Sequence, residues 1–218
     1  MSTIGTVPEP PSTRHPFLTR IVIGLPSWCL HVFLWMMSRV IYGIRVIGRQ
    51  NIPANGGALL VANHLSFIDV ALINAAANRP VRFLVFKEIY DNPLLKPFLA
   101  LMQAIPISQD LRPHEKIHAL QTAGNAIRSG ELVCVFAEGQ ISRTGGMLPF
   151  RRAAKRIIKN LDAPIIPVNL HGIWGSIFSF ERGRFIWKLP RHIPYPVTVS
   201  FGKPCAPSSS LSEVRRAV

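Results

Sequence analysis

His64 and Asp69 stand five positions apart in the stretch "LLVANHLSFIDV", between two apolar runs. A neutral histidine is a good general base near neutral pH. A carboxylate bonded to one of its ring nitrogens fixes the tautomer and stabilises the imidazolium as it forms. Such a pair needs no nucleophilic Ser or Cys if the histidine deprotonates the substrate's own hydroxyl. On an ideal helix, residues five apart point about 140° away from each other. The two side chains therefore converge only if His64 lies in the loop leaving a strand and Asp69 in the first turn of the next helix. Ser66 reads as the N-cap and Asp69 as the third helical residue, where a carboxylate also suits the helix dipole. A capping aspartate beside a hydrogen-bonded loop histidine accounts for the same residues without any chemistry.

A second group lies in "VFAEGQISRTGGMLPFRRAAKR", Val135 to Arg156. An apolar strand delivers Glu138 and Gly139 to its carboxyl end, where α/β sheets gather their ligands. Gly139, Gly145 and Gly146 let backbone amides approach an anion closely. Residues 139 to 160 hold six basic side chains and no acidic one. Phosphate binding and a solvated basic helix after an ordinary turn both fit this pattern.

The elements that must position these groups alternate. Val40 to Pro53 reads as a strand ending in a turn, and Ala58 to Ala62 as a short buried strand. A helix follows from about Ser66 to Asn78, then the strand "VRFLVFK". "NPLLKPFLALMQA" reads as a short helix, with Pro93 near its start and Pro97 kinking it. "IPI" is a brief strand. The next helix carries Ile117, Leu120 and Ile127 at helical spacing, and Gly130 caps its end. "ELVCVFAEG", "APIIPVNLHG" and "YPVTVSFGKP" are strands, and "PFRRAAKRIIKN" is a basic helix. Apolar, β-branched strands alternating with helices predict an α/β fold, a mostly parallel central sheet flanked by helices.

Ahead of this domain, Ile21 to Met37 is seventeen residues without Asp, Glu, Lys or Arg. That is the short end of a membrane span. Pro26 and His31 interrupt it, and Arg20 and Arg39 flank it on both sides, which gives no inside–outside asymmetry. The preferred reading is a helix or helical hairpin embedded in one leaflet, with Trp28 and Trp35 at the interface. A spanning helix and an internal core helix are the alternatives. A cleaved signal peptide is set aside, because no small-x-small site follows. The chain thus divides into a lead-in (1–16), a membrane-associated segment (17–39), one catalytic-type domain (40–205) and a tail (206–218).

Lys and Arg outnumber Asp and Glu by 25 to 11, a formal charge of +14. That charge favours anionic partners: phospholipid headgroups, phosphorylated cofactors, acidic proteins or nucleic acid. Nucleic acid is not expected, since no binding motif accompanies the charge. Cys29, Cys134 and Cys205 form neither a disulfide nor a metal pattern, and Cys134 reads as a small buried hydrophobe. His114 and His118 lack further ligand partners, and His171 reads as the end of a strand. The aromatic residues between Trp174 and Trp187 read as core or membrane-facing surface. No metal site is expected.

These residues carry a resemblance. "NHLSFID" resembles the N-H-x-x-x-x-D block of the glycerolipid (PlsC-type) acyltransferase family, which acylates glycerol phosphate and lysophospholipids. "FAEGQISR" is similar to that family's F-P-E-G-T-R-S-R block. "VFKEIYDNPLLKPFLALMQAIPI" resembles the segment between them, and "APIIPVNLHG" the fourth block, with Pro167 in the matching place. The similarity spans about residues 40 to 203 in matching order. It implies that His64, oriented by Asp69, deprotonates an acceptor hydroxyl. That oxygen then attacks an acyl thioester of coenzyme A or acyl carrier protein, without a cofactor. It implies that Glu138 and Gly139 shape the acceptor site, that Arg143 pairs with phosphate and that Lys87 frames the site. Asn63, Gln140, Arg112 and Pro167 are weaker candidates from the same blocks. It also implies a membrane-associated enzyme on the cytoplasmic face, against an anionic lipid surface.

Three departures bear on the acceptor. Ala137 stands for the usual proline, and Gln140 and Ile141 for the usual Thr-Arg. The arginine expected after the second block is absent at Ser108 and Gln109, with Arg112 nearby. "FAEGQISRTG" looks more like the acyltransferase part of bifunctional enzymes that re-acylate lysophosphatidylethanolamine. Those also carry an acyl-carrier-protein ligase domain, for which 218 residues leave no room. Lysophosphatidate is the default acceptor implied by the family, and lysophosphatidylethanolamine the alternative.

Overall fold

A computed structural model describes residues 40–218 apart from 94, 108–112, 152, 159–161 and 182–192. The lead-in, the membrane-associated segment and Arg112 lie outside the described residues. Among the described residues, no helix is long and apolar enough to cross a membrane.

The strands are β1 (Tyr42–Ile47), β2 (Ala58–Ala62), β3 (Val81–Phe86), β4 (Ile105–Ile107), β5 (Leu132–Phe136), β6 (Ile165–His171) and β7 (Tyr195–Phe201). The helices are α1 (Asp69–Ala76), α2 (Lys87–Tyr90), α3 (Lys96–Leu101), α4 (Pro113–Arg128), α5 (Ala153–Ile158) and α6 (Leu211–Ala217). The sheet order is β1-β7-β6-β2-β5-β3-β4. Every pairing is parallel except β6 with β7. The expected α/β class, mostly parallel and flanked by helices, is the observed one.

β2 shows why. All five of its residues are buried, which a strand achieves only when both sheet faces are covered. Alternation sends Ala58, Leu60 and Ala62 to one face, where they pack with Leu72, Ile73 and Ala76 of α1. Leu59 and Val61 go to the other face, with Ala119, Leu120, Ala123 and Ile127 of α4. Gly57 precedes β2 because a Cβ there would sit 1.9 Å from the Ile127 carbonyl oxygen. Cys134 is fully buried on β5, and burial pushes its thiol up.

Several local expectations shift. Ile117 is 49% exposed, and small alanines at 119, 123 and 126 fill the buried face of α4 instead. Pro97 does not kink α3. It stands in the first turn, where its missing N–H has no intrahelical partner to lose. The tail beyond residue 205 carries α6, opened by a capping box between Ser210 and Glu213. Its Val214 is buried in the α4-side core.

Candidate active site

α1 starts at Asp69, two residues later than a cap at Ser66 requires. The residue before the helix is Ile68, which makes no side-chain cap. The capping expectation for Ser66 is therefore corrected. Its hydroxyl accepts from the Ile68 N–H at 3.4 Å, two residues on, which is a local turn contact and not a cap. The stronger bonds run the other way. Asp69 reaches back, and its Oδ2 accepts from the backbone N–H of Leu65 at 2.7 Å and of Ser66 at 2.9 Å. The reason is geometric. A carboxylate on the first helical residue can close the preceding turn, which leaves Ser66 in an isolated bridge with Ser179.

The same Oδ2 lies 2.9 Å from Nδ1 of His64. Asp69 is fully buried, and His64 is partly exposed. Oδ1 of Asp69 is buried with no hydrogen-bond partner among the described residues. Burial pushes the nearby Tyr42 phenol up to about 12, and the charge of Asp69 adds to that push. The His64 ring stacks on Phe136, with centroids 3.8 Å apart and 13° between planes. His64 is thus held at Nδ1 and on one face, and no hydrogen bond among the described residues occupies Nε2.

Glu138 joins this corner from the other side. It follows β5, is 2% exposed, and accepts from the backbone N–H of His64 at 2.9 Å and of Leu148 at 2.8 Å. Burial pushes its carboxyl above the ordinary value, although both N–H bonds pull the other way. The Ser142 N–H donates to the His64 carbonyl at 2.8 Å, and the Arg151 N–H to the Ala137 carbonyl at 2.7 Å. Gly139 has φ +68°, and a Cβ there would lie 2.8 Å from Cδ of Arg151.

His64, Gly139 and Arg151 line a cavity of about 390 Å³. Its other walls are apolar, among them Leu84, Phe98, Leu99, Ile107 and Phe136. The structure therefore brings His64, Asp69, Glu138 and Gly139 together. Among the described residues, it does not bring Lys87, Arg143, Gln140, Asn63 or Pro167 to the cavity wall. Lys87 is ion-paired with Asp91. Arg143 is exposed, with its guanidinium carbon 5.7 Å from the centre of the Phe180 ring. Gln140 is exposed. Asn63 is buried and exchanges two hydrogen bonds with the Leu170 backbone, which clips the end of β2 to β6. Pro167 is buried opposite Val61 in β6. Among the described residues no three His, Cys, Asp or Glu side chains gather to hold a metal ion.

Sequence reasoning missed Phe136, Arg151 and the apolar cavity. Phe136 had a signal. It pairs in register with Ala62, two residues before His64, so strand alternation puts it on the same face. Arg151 had none, because it is one of several basic residues in its segment.

A family profile described as Acyltransferase matches residues 43–171. The chain belongs to the acyltransferase family. As an O-acyltransferase of the PlsC type, it has relatives whose names state their acceptor. It is 24% identical over 143 residues to the 1-acyl-sn-glycerol-3-phosphate acyltransferase of Bacillus subtilis, covering 65% of this chain and 69% of that protein. It is 24% identical over 166 residues to a chloroplastic 1-acyl-sn-glycerol-3-phosphate acyltransferase of Brassica napus, covering 73% of this chain. The chain spans 47% of that plant relative's length. The crystal structure of the 1-acyl-sn-glycerophosphate acyltransferase PlsC from Thermotoga maritima superposes with a TM-score of 0.70 at 20% identity, over 92% of this chain and 84% of that one. That likeness speaks for the fold.

Proposed function

We propose that this acyltransferase moves a fatty acyl chain from acyl-CoA or acyl-acyl-carrier-protein to the free hydroxyl of a lysophospholipid. The first acceptor is 1-acyl-sn-glycerol 3-phosphate, which would give phosphatidate. One observation carries the reading: a histidine held at Nδ1 by a buried aspartate lines a largely apolar cavity. Nε2 of His64 takes the proton of the acceptor hydroxyl as that oxygen attacks the thioester carbonyl. Asp69 stabilises the imidazolium. The tetrahedral intermediate collapses, the C–S bond breaks, and His64 returns the proton to the departing thiolate. The apolar cavity has the size and lining of a small-molecule pocket and accommodates the acyl chain. The reaction runs without a resident cofactor. The positive charge holds the enzyme to an anionic lipid surface on the cytoplasmic face, where the thioester donors are found.

The test is transfer of a radiolabelled acyl group by the purified full chain, from each donor, to a panel of lysophospholipids. Label in phosphatidate is expected. Label only in phosphatidylethanolamine would replace lysophosphatidate with lysophosphatidylethanolamine as the acceptor. Transfer undiminished by His64→Ala would remove His64 as the base.

A further inference from the structure

We infer that Arg151 is the residue that reads the anionic headgroup of the acceptor, with Gly139 giving it room to do so. The inference rests on the acyl-transfer reading above and adds a residue that determines specificity.

Among the described residues, Arg151 is the one Lys or Arg that lines the cavity with His64. Its side chain runs along the backbone of Gly139, with Cδ and Nε 2.8 and 2.9 Å from where a Cβ would stand. Any larger residue at 139 would displace it. Its own N–H is fixed to the Ala137 carbonyl at 2.7 Å, so it is tied to the segment that carries Glu138. Its guanidinium makes no hydrogen bond or ion pair among the described residues, and the side chain is exposed. Glu138 makes no ion pair with it among the described residues; its carboxylate oxygens accept from the backbone N–H groups of His64 and Leu148. Lys87 is engaged by Asp91, and Arg143 sits over Phe180.

A guanidinium presents a planar fork of donors that matches two phosphate oxygens at once. A base and an unpaired guanidinium on one cavity wall select an acceptor carrying a hydroxyl and an anion on one short backbone. A phosphomonoester of acylglycerol has that form. Monoacylglycerol offers the same hydroxyl and no anion.

The experiment compares lysophosphatidate with monoacylglycerol as acceptors for wild type, Arg151→Ala and Arg151→Lys. Calorimetric binding of short-chain lysophosphatidate, with no thioester present, accompanies it. Arg151→Ala should raise KM for lysophosphatidate at least about tenfold with a much smaller change in kcat, the loss of a charge-assisted bidentate contact. It should lower monoacylglycerol transfer far less than lysophosphatidate transfer and weaken lysophosphatidate binding in parallel. Arg151→Lys should recover part of both. An unchanged KM and unchanged binding would overturn the inference, as would an equal loss on both acceptors. Lysophosphatidate binding that depends on Arg151 in a protein that transfers no acyl group would sink the acyl-transfer reading and keep the anion site. Acyl transfer that ignores Arg151 would do the reverse.

Discussion

Among the described residues, every side-chain bond that sets Asp69 comes from residues 64 to 66, within five positions of it. Glu138 is set by His64, 74 positions away, and by Leu148 on the far side of a glycine-containing loop. The corner that holds the base is built locally, and the loop that faces the acceptor is built at long range. The Glu138 carboxylate and the Ser142 N–H to His64 carbonyl bond couple the reacting group to the substrate loop. Two kinds of mutational effect separate accordingly: on the rate of the chemistry, and on the geometry of the site.

His64→Ala should break the local corner most severely. Acyl transfer should fall by about 10²- to 10⁴-fold, the usual contribution of a general base. The melting temperature should fall too, because the ring is only 16% exposed, stacks on Phe136 and bonds the buried Asp69. Steady-state kinetics beside a thermal melt check both halves. Asp69→Asn comes next, with a rate loss of about a hundredfold. It should also cost about 1–3 kcal/mol of stability, because an amide nitrogen can face donors that had a carboxylate oxygen.

Glu138→Gln tests the other brace. One of its two backbone N–H partners loses its acceptor, at a cost of about 1–3 kcal/mol measured by denaturant unfolding. The rate should fall less than in Asp69→Asn, since no reacting atom is touched. A rate loss equal to that of Asp69→Asn would mean that the two braces act as one. The same variant sharpens the comparison through pH. Burial raises the Glu138 carboxyl in the folded state, so the folded protein binds that proton more tightly than the unfolded chain. Stability therefore falls as pH rises from the ordinary carboxylate value through the raised one. Unfolding free energies across that window should fall less steeply for Glu138→Gln than for wild type. The smallest effect is expected in α6, which touches the Glu138 loop through Arg215 and the Met147 carbonyl but holds neither carboxylate. Ser210→Ala removes the α6 cap, costing about 1 kcal/mol, and should leave transfer unchanged.

The same contrast decides what is legible in the sequence. The buried strands stand out as apolar runs, and the His64–Asp69 convergence follows from a strand-to-helix turn. The bond that ties Glu138 to His64 joins residues 74 positions apart, and no local pattern reports it. Tertiary packing overrides periodicity at Ile117, where alanines allow α4 to lie close to the sheet. The cap expected at Ser66 fails because the Asp69 carboxylate, three residues on, closes the turn in its place. Arg151 stays hidden because only its position against Gly139 sets it apart from its basic neighbours.

Besides Glu138 itself, the ties that hold its loop to the base are made of backbone atoms: the N–H and carbonyl of His64 and the N–H groups of Ser142, Leu148 and Arg151. Backbone ties are blind to side-chain identity. Gln140, Ile141 and Arg143 can therefore be exchanged as a cassette while the loop keeps its path and the base its place. A protein engineer could rewrite those three positions to change the outer surface of the loop, and would change Arg151 to shift the headgroup preference.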